Sequence, residues 1–233
     1  MVQYTMAGMP LKLELSPGVF EPTTTTYLLA EQMKDLSGKT VLDLGCGNGP
    51  IAVLAALRGA KKVYAVDIMQ EACEATMHNA GLNGVSDRVQ SLRGDLFEPL
   101  EGMRFDVIFD DVSGMADAVS RISPWYPYTI PTGGEDGTGP TIRMLRESPR
   151  YLNDNGSLFF PVISLARVEK MIDAAREVYG EKLFKVASKL IPFCPELTEN
   201  MDLLIKLKNE GIISFNQVRS RYLWELTIYR AAI

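Results

Sequence analysis

The sequence predicts an α/β fold: one doubly wound sheet of about seven strands, mostly parallel, with an antiparallel final strand. Three observations carry this. Short β-branched or apolar runs alternate with stretches of helical pattern along the chain. The first such run is followed by a glycine-rich turn that opens an apolar helix, as a βαβ unit begins. A chain of 233 residues, 46% hydrophobic and 23% charged, suffices for one substantial α/β domain and is short for two. The expectation is therefore one catalytic domain over residues 1–233.

The elements follow in order. Thr40–Leu44 reads as the first strand, and residues 51–57 as a helix stopped by Arg58 and Gly59. Lys62–Asp67 is a second strand, residues 69–80 a helix ending at Gly81, and Val89–Arg93 and Phe105–Asp110 two further strands. The polar, Gly- and Pro-rich stretch 113–140 is too long for a plain connector and is expected to be an active-site loop. Helix resumes over 141–151, and Asn155-Gly156 turns into a strand over 157–160. Pro161 cannot donate to a ladder and is expected to end that strand. Residues 167–179 form a helix closed by Gly180, and the tail offers strands over 183–190 and 223–229 with helix between them around 201–209. Residues 1–39 are left as an N-terminal extension, expected to pack over the ligand site.

Composition narrows the function classes. A formal charge of −5 and a pI near 5.1 have the wrong sign for gripping a nucleic-acid backbone, which argues against a nucleic-acid partner. Three widely spaced cysteines (Cys46, Cys73, Cys194) and a single histidine support neither a disulfide framework nor a zinc cage, so no metal is expected. No signal-peptide core is seen, and the best apolar run, 51–57, is far below the roughly 20 residues of a membrane helix. The expectation is a reduced, cytoplasmic protein with no membrane partner. The oligomeric state stays open, a homodimer among the arrangements.

The most informative run is Val41-Leu42-Asp43-Leu44-Gly45-Cys46-Gly47-Asn48-Gly49. Alternate glycines let the chain turn tightly and bring backbone close to a ligand, and the helix that follows presents free amides. Such a pattern alone is weak, since many nucleotide-binding folds share it. Its flanks sharpen it. Asp43 ends the strand, where a carboxylate can meet a ligand's ammonium group. Asp67 ends the second strand, about 20 residues on, where an acid can accept both hydroxyls of a ribose. Gly94-Asp95-Leu96 closes the third strand, with Asp95 placed to accept from an adenine amino group. Each acid alone also fits a helix cap or a solvated strand end. Together, at the carboxyl ends of three successive strands, they match the three parts of S-adenosylmethionine (SAM) on a Rossmann-like sheet. Ile68, beside Asp67, belongs to the same expected wall.

These residues resemble the shared motifs of class I SAM-dependent methyltransferases, across roughly residues 40–160. The resemblance narrows to the glutamine methyltransferases of release factors and their relatives. The run Glu21-Pro22-Thr23-Thr24-Thr25-Thr26-Tyr27-Leu28-Leu29 is similar to the segment before the SAM loop in that family, with Thr26 matching its Thr and Thr25 replacing its Asp. Gly133-Gly134-Glu135-Asp136-Gly137, followed by Tyr151-Leu152 and Gly156, looks like the family's Gly-Gly-x-Asp-Gly block. The resemblance implies SAM as cofactor and Thr26 at its site. The family ends its fourth strand in Asn-Pro-Pro-Tyr, which holds the amide being methylated. This chain reads Asp110-Asp111-Val112-Ser113 instead, so glutamine as acceptor is not inherited.

A bound sulfonium is already an activated electrophile, so the protein mainly positions it and excludes water. If the acceptor is an amine, Asp110 or Asp111 can hold it and take its proton, although Asp111 equally fits a helix cap. Asp110 is also expected against the cofactor. Trp125, Tyr126 and Tyr128 can enclose a cation, or simply anchor the long loop. Tyr126 joins the two acids as a candidate catalytic residue. His78, mid-helix, reads as a surface residue. The reading placed first is a methyltransferase with a small-molecule amine or amino-acid-like acceptor. Two alternatives stand beside it: transfer or cyclisation of the aminocarboxypropyl arm with release of methylthioadenosine, and methylation of a protein.

Overall fold

The computed structural model describes residues 2–233. Its central sheet has the order β5-β4-β3-β6-β7-β10-β8, with β9 paired to β10 at one end. Four strands have the bounds expected from their runs: β3 (Thr40–Leu44), β4 (Lys62–Asp67), β5 (Val89–Arg93) and β6 (Phe105–Asp110). These pair in parallel with one another, and β6 pairs in parallel with β7 (Leu152–Ile163). Strand β10 (Arg221–Ala232) enters antiparallel between β7 and β8 (Leu183–Pro192), and β9 (Asn216–Val218) is a short hairpin arm against it.

Strand β7 corrects one expectation. Pro161 lies inside it, opposite Ile228 of β10. The β6 ladder ends at Phe109–Phe159, so one flank of β7 has no partner at Pro161, and a residue without an amide is tolerated there. Antiparallel pairing to β10 carries the strand on to Ile163.

Two apolar layers sandwich the sheet. One holds α1 (Thr24–Ala30), α2 (Pro50–Leu57), and α8 (Met201–Asn209), with Leu29, Leu54 and Leu204 fully buried. On the other side α5 (Gly139–Glu147) and α6 (Val168–Tyr179) bury Met144, Leu145 and Met171. α3 (Gln70–Leu82), α4 (Asp117–Ser120) and α7 (Pro195–Glu199) complete the set.

Helix α2 is apolar on every side, and a helix of that kind must be covered all round. The cover is supplied by an antiparallel hairpin absent from the sequence-based expectation, β1 (Val2–Met6) and β2 (Met9–Leu13). Its two-residue turn, Ala7-Gly8, has positive φ at both positions, as a tight hairpin turn requires. Met6 and Leu11 are fully buried in the layer that holds α2. Asn79 of α3 and Asn83, which caps its end, fasten the hairpin, accepting from the amides of Glu14 and Lys12 (2.8 and 3.0 Å). The hairpin thus lies on α2 and α3, while residues 18–26 of the extension turn toward the carboxyl ends of the strands and line the cavity there.

Candidate functional site

A single cleft of about 1140 Å³ opens over the carboxyl ends of β3, β4, β5 and β6. This is where an open α/β sheet binds ligands, at the point where strand order reverses between β3 and β6.

The glycine loop forms one end. Gly45, Gly47 and Gly49 all have positive φ. At Gly49 the requirement is double, because a Cβ would also stand 2.9 Å from the Cα of Thr76. Gly49 therefore serves the packing of α2 on α3, and it lies behind the cavity rather than on its wall. Asn48 is fully buried, and its side chain straps the N-terminal segment over the loop: Oδ1 accepts from Ser16 N (2.9 Å) and Nδ2 donates to Phe20 O (2.7 Å). Cys46 lines the cavity, its Sγ 3.9 Å from Ser91 Oγ, and the nearby thiol of Cys73 in α3 pushes the Cys46 thiol well up while Cys73 is brought down to about 6.

The acids divide into two sets. Asp67 and Asp95 face the cavity with Ile68, Gly94 and Leu96. Asp67 accepts from Gly47 N and Met69 N (both 3.0 Å), so it also fixes the loop, and burial raises its carboxyl. Asp95 accepts from Arg143 at 2.9 Å. Asp43 is fully buried, away from the cavity wall. Its Oδ2 accepts from Ala52 N (3.0 Å), which caps the first turn of α2, and its Oδ1 has no partner. Asp110 pairs with Leu44 in the sheet and is 1% exposed, with neither carboxyl oxygen partnered. Burial, and then the neighbouring Asp111, push both carboxyls well above the ordinary carboxylate range.

Asp111 is different. It lines the cavity, its amide donates to Leu44 O (2.9 Å), and its Oδ2 accepts from Thr26 Oγ1 at 2.7 Å. Burial raises its carboxyl to about 7, with the Thr26 hydroxyl holding it down. Thr26 is itself held by the first turn of α1, where it accepts from Thr23 N (3.2 Å).

The stretch 113–140 covers the cleft and contains α4. The Tyr126 hydroxyl donates to Pro131 O (2.7 Å) and shares a hydrogen bond with Ser113 Oγ (2.5 Å). Its ring meets Phe20 edge-on at 5.0 Å. That hydroxyl therefore anchors the loop, while the ring faces the cavity. Trp125 and Tyr128 also line it, Tyr128 at the rim with 79% of its surface exposed. Gly137 closes the loop's base, where a Cβ would lie 2.6 Å from Ala116 N. His78 lies on the surface of α3 beside Glu14 (3.0 Å), as its pattern suggested.

The structure thus brings Thr26, the glycine loop, Asp67, Asp95, Asp111 and Tyr126 to one cavity, and places Asp43, Gly49 and Asp110 behind its wall. Sequence reasoning missed the far wall, Ile163, Ile191 and Trp224, and the roof residue Phe20. A tryptophan within an otherwise regular strand pattern was the available signal for Trp224.

Among the described residues no group of His, Cys, Asp and Glu is suited to hold a metal, and no helix is long and apolar enough to cross a membrane.

Residues 6–135 match the family model of the ribosomal protein L11 methyltransferases (PrmA). The chain is 32% identical over 183 residues to a protein of Methanocaldococcus jannaschii named as a protein N5-glutamine methyltransferase, covering 78% of this chain and 91% of that one. It is 37% identical over 141 residues to the ribosomal protein uL3 glutamine methyltransferase of Bradyrhizobium diazoefficiens, covering 58% of this chain and 43% of that longer protein. Among solved structures, the ribosomal protein L11 methylase of Lactobacillus delbrueckii subsp. bulgaricus superposes with a TM-score of 0.55 at 20% identity, over 92% of this chain and 82% of that one. The Thermus thermophilus 16S rRNA N2 G1207 methyltransferase, solved with AdoMet and guanosine, gives 0.61 at 17% identity, over 99% and 49%. The last two share the fold. The chain therefore belongs to the PrmA-like methyltransferase family and is a SAM-dependent methyltransferase.

Proposed function

We propose that this chain methylates an amine presented by a protein, with Asp111 as the general base. The observation that carries the reading is Asp111 itself: a cavity-lining carboxyl, hydrogen-bonded by Thr26 and raised to about 7. A base tuned near the working pH is what removing a proton from an ammonium group asks for. The relatives' names point to protein acceptors rather than the small molecule placed first from the sequence, and two of them to glutamine side chains. A carboxamide, however, needs a partner that both donates and accepts, and Asp111 when ionised only accepts.

The cofactor fits the residues present. Gly47 lines the cavity with no side chain to fill it, Gly45 lets the loop close on the backbone of Asp111 and Val112, Asp67 would hold the ribose hydroxyls, and Asp95 would meet the adenine end. When bound, SAM supplies a methyl group on a sulfonium. Asp111 then holds the ammonium of the acceptor and takes its proton, so that the nitrogen's lone pair is free as the N–CH3 bond forms and the S–CH3 bond breaks. Burial pushes the carboxyls of Asp110 and Asp43 well up, and neither reaches the cavity, which leaves Asp111 as the acid presented to the acceptor here. The loop 113–140, anchored by Tyr126, excludes water.

The test is incubation with methyl-labelled SAM and a ribosomal protein fraction, followed by acid hydrolysis of the labelled protein. Methylation of an amine leaves acid-stable label on an amino acid. Methylation of glutamine releases the label as volatile methylamine and would refute the amine reading. Methylthioadenosine formed without labelled protein would instead reveal transfer of the aminocarboxypropyl arm.

A further inference from the structure

The cleft is larger than its cofactor half requires. At about 1140 Å³ it exceeds the roughly 300–1,000 Å³ of an ordinary single-ligand pocket. Its two ends differ in chemistry. The end over β3, β4 and β5 carries the glycine loop, Asp67 and Asp95. On the far side of β6 the sheet presents an apolar floor, Ile163 of β7, Ile191 of β8 and Trp224 of β10, and the long loop adds Ile122, Trp125 and Ile130 to the lining of the cleft, with Arg121 and Ser123 beside them. Trp224 and Ile191 are direct cross-strand partners, so the floor is set by the sheet and not by a loop. All three floor residues lie outside the segment matched by the family model, residues 6–135.

We propose that this far end is a subsite for an apolar group covalently attached to the amine that is methylated, such as an aliphatic or aromatic side chain flanking it in a peptide. The inference rests on the reading of Asp111 as the amine's partner, since the subsite begins where Asp111 ends. Its continuity with that position is the reason for assigning it to the acceptor: a group entering the far end carries its amine past Asp111 toward the cofactor half. A purely hydrophilic acceptor would leave this floor wet, a poor use of a fixed apolar wall.

The experiment measures the affinity of unbranched alkylamines, from ethylamine to hexylamine, and of the matching alcohols, by calorimetry on the intact protein at pH 8 with S-adenosylhomocysteine present. Each added methylene should tighten binding about four-fold, the equivalent of ~0.8 kcal/mol. Amines should bind more tightly than alcohols of equal length. In Trp224→Ala the gain per methylene should fall below two-fold. A chain-length dependence absent from the wild-type protein, or unchanged in Trp224→Ala, overturns the subsite. Equal affinity of amines and alcohols with the length dependence intact leaves the subsite standing and overturns the amine reading of Asp111. The wild-type series needs no variant, so a poorly folded Trp224→Ala does not decide the outcome.

Discussion

Asp111→Asn should yield a chain that is more stable than the parent at pH 8 but no more stable at pH 4. The reason lies in where the acid holds its proton. Its ordinary value is 3.8, and in the folded chain burial raises it to about 7. Between these two values the unfolded chain has released the proton while the folded chain keeps it. Stability therefore falls as pH rises through that window and levels off above about 7. At ~1.4 kcal/mol per pH unit, the interval from 3.8 to about 7 corresponds to on the order of 4 kcal/mol. Asp111 keeps some accessible surface on the cavity side, so we take about half of this, ~2 kcal/mol. For a chain of this size that is about 4–8 °C in Tm. The Asn side chain keeps an acceptor for Thr26 and removes the ionisation. Thermal melts of both proteins from pH 4 to pH 8.5 should show a gap that opens between pH 4 and 7 and then stays constant. A gap independent of pH, or a less stable variant at pH 8, would refute the assignment of the raised carboxyl to Asp111. The same substitution should lower kcat by about 100-fold or more, the usual contribution of a general base.

Three further outcomes follow from the same geometry. Thr26→Val removes the hydroxyl that donates to Asp111 at 2.7 Å, so the acid limb of the rate profile should move up by about one pH unit, with Thr26→Ser restoring it. An unmoved profile in the Val variant would mean that the hydroxyl acts only on helix α1. Asp67→Ala should weaken SAM binding at least about ten-fold by calorimetry, since it removes a charged acceptor and frees Gly47 N, and an unchanged affinity would displace the ribose from this strand end. Gly49→Ala forces a Cβ against Thr76 at positive φ and should destabilise by about 1–3 kcal/mol in urea denaturation; a neutral result would show that α2 and α3 can slide apart there.

The parallel half of the sheet was legible because β3, β4 and β6 read as short, mostly apolar runs between clear turn signals and the edge strand β5 alternates between its two faces, so β3, β4, β5 and β6 have the bounds their runs suggest. The antiparallel half was not. The tolerance of Pro161 depends on where β6 happens to end, which no local pattern records. The hairpin β1–β2 was missed because its turn is Ala7-Gly8, not one of the common Asn-Gly or Asp-Gly pairs. In the site, Asp67 and Asp95 could be placed by counting from the glycine loop. Asp43 and Asp110 could not be separated from Asp111 in this way, because a strand's last residues alternate between wall and cavity. The tuning of Asp111 by Thr26 joins residues 85 positions apart, brought together by the packing of α1 on the core and by the strap that Asn48 holds over the loop.

The place of β10 between β7 and β8 has a consequence for how the chain assembles. β7, α6 and β8 are contiguous and, taken alone, have the makings of an ordinary βαβ unit, in which the two strands would pair directly. The native order denies them that contact and reserves the flank of β7 for a strand arriving from beyond α7 and α8. Until it arrives, β8 has no partner, and the nearest available one is wrong. Refolding should therefore divide into molecules in which β10 reaches β7 first and molecules that must undo a premature pairing, and the floor of the cleft at Trp224 would be the last part of the site to form.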